Sequence, residues 1–204
     1  MTNSGFLAIW SDVTRERETD YLHWLTREHA SERLAVDGFH SVSVHRARRP
    51  DVCRYFIHYE LASPDVLASN AYLERLNAPT PWTQRIMPTL GNFERGGGRM
   101  VAHAGRGHGC VLAVIKLGFQ TPVSTAGLVE RIAGSDRIVA ARWLETDAVR
   151  TNIATREKSM RSGGDGSFAG LVLIEGLDEP AVAAATGAHG LGTPGDLYSH
   201  IFHA

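Results

Sequence analysis

The sequence has few cysteines, no excess of basic residues and no long apolar run. Its 204 residues include two cysteines, Cys53 and Cys110, a number that indicates a reducing compartment and no disulfide framework. The 21 basic residues are balanced by 22 acidic ones, which argues against a nucleic-acid partner because such a surface needs a basic excess. No apolar run approaches the roughly 20 residues of a membrane span, and the N-terminus lacks the basic and apolar regions of a signal peptide. We therefore expect a cytoplasmic protein with no membrane partner.

Motifs for metal or phosphate binding are also lacking. The sequence has no HExxH motif and no closely paired cysteines, and His200 and His203 of one predicted strand are expected to point to opposite faces. The glycine-rich run 105–109 lacks the Lys-Ser/Thr pair of a phosphate-binding loop and precedes a strand. Gly96-Gly97-Gly98 lies within a strand pattern and predicts a bulge or bend. The sequence therefore predicts neither a metal nor an organic cofactor.

What the sequence does contain is one order of strands and helices, repeated. Alternating or apolar runs predict strands, and apolar residues at helical spacing predict helices. The first half reads strand 5–12, helix 20–36, strand 39–48, strand 53–61, helix 64–76 and strand 92–104. The second half reads strand 110–117, helix 122–133, strand 136–145, strand 168–176, helix 178–186 and strand 197–203. Both halves have the ferredoxin-like order of strand, helix, strand, strand, helix, strand.

The two halves also resemble each other in detail. The run Leu7-Ala8-Ile9-Trp10 aligns with Leu112-Ala113-Val114-Ile115. The third strand of each half ends in a glutamate, Glu60 or Glu175, shortly before a helix that starts with proline. Self-similarity on this scale predicts a tandem repeat.

The repeat predicts both the domain organisation and the fold. The chain divides into an N-terminal half at 1–104, a glycine-rich joint at 105–109 and a C-terminal half at 110–204. An antiparallel sheet with helices on one face leaves the other face free, and two such sheets can bury their free faces together. We therefore predict an α+β fold in which two tandem ferredoxin-like halves pack their sheets face to face as a barrel within one chain.

The first helix carries the clearest candidate for chemistry. Leu22, Leu25 and His29 share one stripe at helical spacing, so His29 is predicted to face inward. A histidine titrates near neutral pH and suits acid–base catalysis, with Glu28 or Glu32 as the carboxylate that orients it. The alternative is a histidine that is merely satisfied by Glu32 or by a backbone carbonyl.

A long charged loop separates two predicted strands of the second half. Residues 147–167 include Arg156 and Arg161, where a tight hairpin would suffice. Loops of this length are usually functional or disordered. One interpretation is a lid that clamps an acidic ligand with Arg156 or Arg161, and the alternative is a solvated loop.

The first half resembles a known group of proteins. The run Tyr21-x-x-Trp24-x-x-x-Glu28-His29, followed by Glu32-Arg33 and Gly38-Phe39, resembles the first helix and second strand of dimeric α+β barrel proteins, most of all the EthD-like branch. The similarity covers residues 5–104 and is thin over 110–203, where Trp24 and His29 have no evident equivalent. Relatives in this superfamily include polyketide cyclases, quinone-forming monooxygenases, lactone isomerases and haem-degrading enzymes.

The resemblance implies a small-molecule cavity between the sheet and its helices, with Trp24 and His29 on the helix side. The candidates from the sheet are Trp10, His45, His58 and Tyr59. Because side chains alternate along a strand, only one of His58 and Tyr59 can line a given cavity. Trp82, in the break after the second helix, either closes the mouth of the cavity or anchors a loop.

The resemblance implies an enzyme that acts on an apolar carbonyl or aromatic compound as a cyclase, isomerase or cofactor-free monooxygenase, with His29 and Glu28 as catalytic residues. Three alternatives stay open. The protein could bind a small ligand in the same pocket without catalysis, or it could be a haem-binding α+β barrel, since tandem ferredoxin-like halves bind haem in other families. The third is a purely structural or assembly role, in which the histidines and tryptophans simply pack. The superfamily is also compatible with a homodimer of whole chains.

Overall fold

The computed structural model describes residues 4–118, 127–161, 165–192 and 194–204. In the first half, helices cover one face of a sheet. Its elements are β1 (Gly5–Val13), a 3-10 helix (Arg15–Arg17), α1 (Glu18–Trp24), a π-helical turn (Leu25–His29), α2 (Ala30–Leu34), β2 (Phe39–Ala47), β3 (Cys53–Leu61), a 3-10 helix (Pro64–Ala68), α3 (Asn70–Asn77), α4 (Pro81–Ile86), a 3-10 helix (Met87–Thr89) and β4 (Gly91–Gly105).

The second half repeats this layout with short helices added after its second strand. Its elements are β5 (Val111–Leu117), α5 (Leu128–Ala133), β6 (Ile138–Thr146), α6 (Ala148–Thr151), α7 (Arg156–Ser159), β7 (Gly170–Gly176), α8 (Glu179–Ala188) and β8 (Leu197–His203). Residues 122–126 of the predicted helix 122–133 lie outside the described residues. Among the helices that are described, none is both long and apolar enough to cross a bilayer.

The strands of the described residues form one closed antiparallel barrel. The order within the first half is β4-β1-β3-β2, and the second half has the equivalent order β8-β5-β7-β6. The edges join where β2 pairs with β8 and β4 pairs with β6. The predicted α+β fold, with two tandem ferredoxin-like halves building a barrel within one chain, is therefore confirmed.

The strand register corrects the predicted alignment of the halves by one residue. Phe6 pairs with Glu60 in the first half, and Leu112 pairs with Glu175 in the second, so the equivalent of Leu112 is Phe6 and not Leu7. Leu7 packs on the helix side, whereas Leu112 packs inside the barrel. Because both faces of these strands are apolar, the sequence pattern does not reveal a slip that reverses the faces.

The three consecutive glycines form a regular part of β4 and not the predicted bulge. They pair in register with residues 6–8 of β1, and the register shifts of β4 lie elsewhere. A Cβ atom at Gly96 would lie 2.4 Å from the Phe168 ring, and one at Gly98 would lie 2.0 Å from the Glu145 carbonyl oxygen. The glycines are therefore needed for the close approach of neighbouring groups to β4.

Candidate functional site

A π-helical turn in the first helix positions His29. A π turn pairs residue i with residue i+5, and the rings of Trp24 and His29 accordingly lie against each other with 4.3 Å between their centroids. Both side chains are buried, so His29 faces inward as expected. Glu28 instead accepts a hydrogen bond from the Thr80 hydroxyl at 2.7 Å. The prediction that Glu28 orients His29 is therefore wrong, because consecutive residues of a helix point in different directions.

His29 lies in the wall of a cavity between the helices and the sheet of the first half. The wall includes apolar and aromatic side chains from β1, β3 and α1, and Trp24 covers one side. Its polar members include Arg33, Tyr59, Glu157 and Arg161. The centres of water molecules can occupy about 20 Å³ of this space, which is room for one or two waters. The protein's own side chains thus nearly fill the cavity.

His29 is a neutral and incompletely satisfied histidine. No residue of the described part of the chain forms a hydrogen bond with its buried Nδ1 atom. Burial, together with the positive charge of Arg33, holds the pKa of His29 well below its usual range, because both effects disfavour the imidazolium form. At neutral pH the ring is therefore uncharged and can both donate and accept hydrogen bonds.

Tyr59 and Arg33 bring two more polar groups to the same wall. Among the residues described, the buried Tyr59 hydroxyl has no hydrogen-bond partner, and burial raises the pKa of the phenol, so it remains a neutral donor. Arg33, one helical turn after His29, is 3% exposed and pairs with Glu157 at 2.5 Å. Arg33 and Glu157 are not among the predicted site residues, because their pairing joins positions 124 residues apart.

Part of the charged loop 147–167 covers this cavity. Arg161 is buried in the wall, where its guanidinium lies 4.1 Å from the centre of the Phe93 ring and pairs with Asp165 at 2.7 Å. Arg156 does not line the cavity: its side chain is exposed, and its backbone N–H donates to Asn77. Residues 162–164 of the loop lie outside the described residues.

Three predicted site residues lie on the opposite face of the sheet. Trp10, His45 and His58 point into the barrel, where Trp10 donates a hydrogen bond to Tyr198 at 3.0 Å. They do not line the cavity beside His29, which corrects the prediction. The expected alternation of His58 and Tyr59 is present, and Tyr59 is the member of the pair on the cavity side.

Trp82 is another predicted site residue that does not line the cavity beside His29. It belongs to α4, which Thr80 caps and Pro81 begins, where the sequence predicted only a break. Its indole N–H donates to Asp20 at 3.0 Å, and Arg85 lies over its ring. These contacts support the interpretation of Trp82 as an anchor between α4 and α1.

Several histidines gather at one end of the barrel. The ring centroids of His108 and His203 are 4.8 Å apart, and those of His45 and His200 are 5.1 Å apart. The prediction that His200 and His203 point to opposite faces is wrong, because the register of β8 shifts by one residue between them. In the described ranges, no three His, Cys, Asp or Glu side chains are arranged to hold a metal ion.

Charged groups complete this end of the barrel. Arg142 pairs with Glu175 and lies 3.6 Å from Glu60, so the two equivalent glutamates share one arginine. His108 and the Gly109 N–H bind the other oxygen of Glu175, and these charged and polar partners outweigh burial and lower the Glu175 pKa to about 2. The ion pairs here satisfy one another, whereas the ring nitrogens of the buried His45 and Nε2 of His58 have no hydrogen-bond partner among the described residues.

The sequence matches no family model and no curated protein, but solved structures share its fold. An anthrone oxidase-like protein superposes with a TM-score of 0.57 at 12% identity, over 100% of this chain and 93% of that chain. A candidate monooxygenase from Fusobacterium nucleatum gives 0.58 at 12% identity, over 100% and 95%. A candidate chlorite dismutase gives 0.56 at 13% identity, over 99% and 96%.

Identities this low establish the shared fold and leave the activity open. The superpositions run through both halves of the chain, in agreement with the strand order of the closed barrel. The chain therefore has the fold of the dimeric α+β barrel superfamily, with both halves of the barrel supplied by one polypeptide.

Proposed function

We propose that the helix-side cavity binds a small apolar carbonyl or aromatic compound and that His29 transfers a proton on it. The observation that carries the proposal is the pair of buried polar atoms, His29 Nδ1 and the Tyr59 hydroxyl, which lack hydrogen-bond partners among the described residues and belong to one wall. Buried polar groups are normally bonded, and an exception calls for an explanation. A ligand oxygen between them would supply that bond.

The chemistry follows from the charges of these groups. Neutral His29 can take a proton from a carbon next to a carbonyl group, and the electron pair of the broken C–H bond moves to the carbonyl oxygen. The Tyr59 hydroxyl and the Arg33 guanidinium stabilise the resulting enolate as a donor and a nearby positive charge. Return of the proton to another atom gives isomerisation, and attack of the enolate on a second carbonyl carbon gives cyclisation.

The second candidate is ligand binding without catalysis. The low pKa of His29 favours it, because a weakly basic imidazole is a poor acceptor for a proton on carbon. The two candidates share one cavity and differ only in whether a proton moves.

Three expectations from the sequence remain part of the proposal: the family branch, the cellular location and the homodimer. Membership of the EthD-like branch stays part of the proposal on the sequence motif that contains Trp24, Glu28 and His29. The free thiols of Cys53 and Cys110 support a reducing, cytoplasmic location. Pairing of whole chains into a homodimer is compatible with the superfamily.

Deuterium exchange separates catalysis from binding. We expect the protein to accelerate exchange of the α-hydrogens of 2-tetralone in D₂O, followed by NMR, by about a hundredfold or more. The His29→Phe variant keeps a ring against Trp24, removes the unbonded nitrogen, and should return the rate to that of buffer with an unchanged melting temperature. His40→Gln, at an exposed position of β2, is the control. Equal rates for the parent protein and His29→Phe would refute the catalytic role.

A further inference from the structure

The second half closes the cavity of the first half with residues 147–161. The Thr151 hydroxyl exchanges two hydrogen bonds of 3.0 Å with the backbone of Gly97 in β4. The Arg156 backbone N–H donates to Asn77 at the end of α3. These contacts seat α7 against the helices of the first half, so that Glu157 and Arg161 enter the cavity wall.

Glu157 is the acidic residue in the wall of this cavity and lies beside one of its arginines. Its carboxylate is buried and bonded to the guanidinium of Arg33, which also lies over the Tyr72 ring. Arg95 adds a further positive charge, and its partners are the neutral Tyr72 hydroxyl and the Thr151 carbonyl. Glu157 is thus a carboxylate in a site whose other charged members, Arg33, Arg95 and Arg161, are cations.

An organic ligand must displace part of the wall, because the space left is that of one or two waters. The strands and the first helix belong to the barrel and its main core. The four-residue α7 is instead held by contacts with α3, by the buried Glu157–Arg33 pair and, just beyond its end, by Met160 against the core. Because α7 is a short helix outside the closed sheet, it can move away from the cavity without opening the barrel.

We propose that Glu157 holds the place of a ligand's anionic group, and that a small aromatic carboxylate binds by displacing Glu157 from Arg33 and lifting α7 from the cavity. This inference rests on the proposed function, because it assigns the substrate class of the same cavity. The ligand carboxylate pairs with Arg33, its ring lies against Trp24, and its remaining polar groups reach His29 and Tyr59. The chain's own carboxylate acts as an internal competitor, so the apparent affinity is the intrinsic affinity multiplied by the fraction of molecules in which α7 is open.

The test compares 2-naphthoate with the uncharged 2-naphthamide, by quenching of tryptophan fluorescence and by calorimetry. Glu157→Gln removes the competing charge and should raise the affinity for naphthoate by about tenfold, with less than about a threefold change for naphthamide. Glu179→Gln, which alters an exposed ion pair between Glu179 of the second half and Arg48 of the first, is the control and should leave both affinities unchanged. Hydrogen exchange of the parent protein gives a second readout: naphthoate should speed exchange of the α7 amides while the amides of β3 are protected.

The outcomes distinguish this inference from the proposed function. Equal naphthoate affinities for the parent protein and Glu157→Gln, or α7 amides that naphthoate slows, would overturn the displacement and leave the cavity as a ligand site. Failure of both compounds to bind any variant would overturn both. If Glu157→Gln does not fold, the exchange of the α7 amides in the parent protein decides the matter.

Discussion

Acid should destabilise this protein at pH values where most soluble proteins are unaffected, because three histidines are buried in neutral form. Burial, with smaller contributions from neighbouring charges, lowers the pKa values of His45 and His58 to about 3, and the pKa of His29 is well below its usual range. Their pKa values in the unfolded chain are about 6.5. As the pH falls below that value, the unfolded chain binds protons that the folded chain does not, so stability falls with pH.

The size of the effect follows from proton linkage. At about pH 5.5, each histidine that stays neutral in the folded state costs about 1.4 kcal/mol relative to about pH 8, or about 4 kcal/mol for the three. His108 acts in the opposite direction, because its hydrogen bond to Glu175 raises the pKa of the imidazole. Carboxyl groups such as Glu175, with its pKa of about 2, contribute only at lower pH. A loss of this size is a large part of the 5–15 kcal/mol that typically stabilises a domain.

The assay is urea unfolding at several pH values between about 8 and 5.5, followed by circular dichroism. The charged and titratable groups near His58 include Arg142, Glu175, His45 and His108. The His58→Leu variant keeps all four of these groups and removes one of the three neutral histidines. It should therefore remove about one third of the pH dependence. His40→Gln, at the exposed position, should not change it. A free energy of unfolding that varies by less than about 1 kcal/mol over this range would refute the reasoning.

Three further predictions concern single side chains. Tyr59→Phe removes a buried unbonded hydroxyl, so we expect unchanged or slightly higher stability in thermal unfolding. The deuterium exchange of 2-tetralone should become at least about tenfold slower. Lower stability with full exchange activity would count against the role of Tyr59. Gly98→Ala should lower the free energy of unfolding by about 3 kcal/mol or more, because the new Cβ atom would lie 2.0 Å from the Glu145 carbonyl oxygen. Its control is Gly187→Ala in α8, where the new Cβ atom would have no neighbouring side chain within 4 Å. This change should be neutral or stabilising in the same urea titration. Arg33→Met leaves Glu157 buried without its cation and should cost about 3–5 kcal/mol at neutral pH, and a cost below about 1 kcal/mol would show that α7 is not held by this pair.

The sequence predicted the fold well because its pattern is consistent from strand to strand. Alternation along β3 placed His58 and Tyr59 on opposite faces, and helical spacing turned His29 inward. Both inferences use only local periodicity, which the barrel preserves. The apolar strands β1 and β5 gave no such signal, and the alignment of the halves was wrong by one residue for that reason.

The site was only partly predictable, because its remaining parts depend on local irregularities and distant contacts. The π turn brings the Trp24 and His29 rings together, and the register shift in β8 does the same for His200 and His203, but neither irregularity has a sequence signal that periodicity can detect. Glu157 reaches Arg33 only after the loop of one half has folded over the other. An acidic residue in a charged loop looks solvated until that contact is known.

The most direct test of the ligand site is a crystal structure of the protein with 2-naphthoate, because it shows which face of the sheet the compound contacts. We expect the ring against Trp24 and the carboxylate on Arg33, with Glu157 displaced. A compound bound inside the barrel beside Trp10 and His58, with the space around His29 unchanged, would contradict the account.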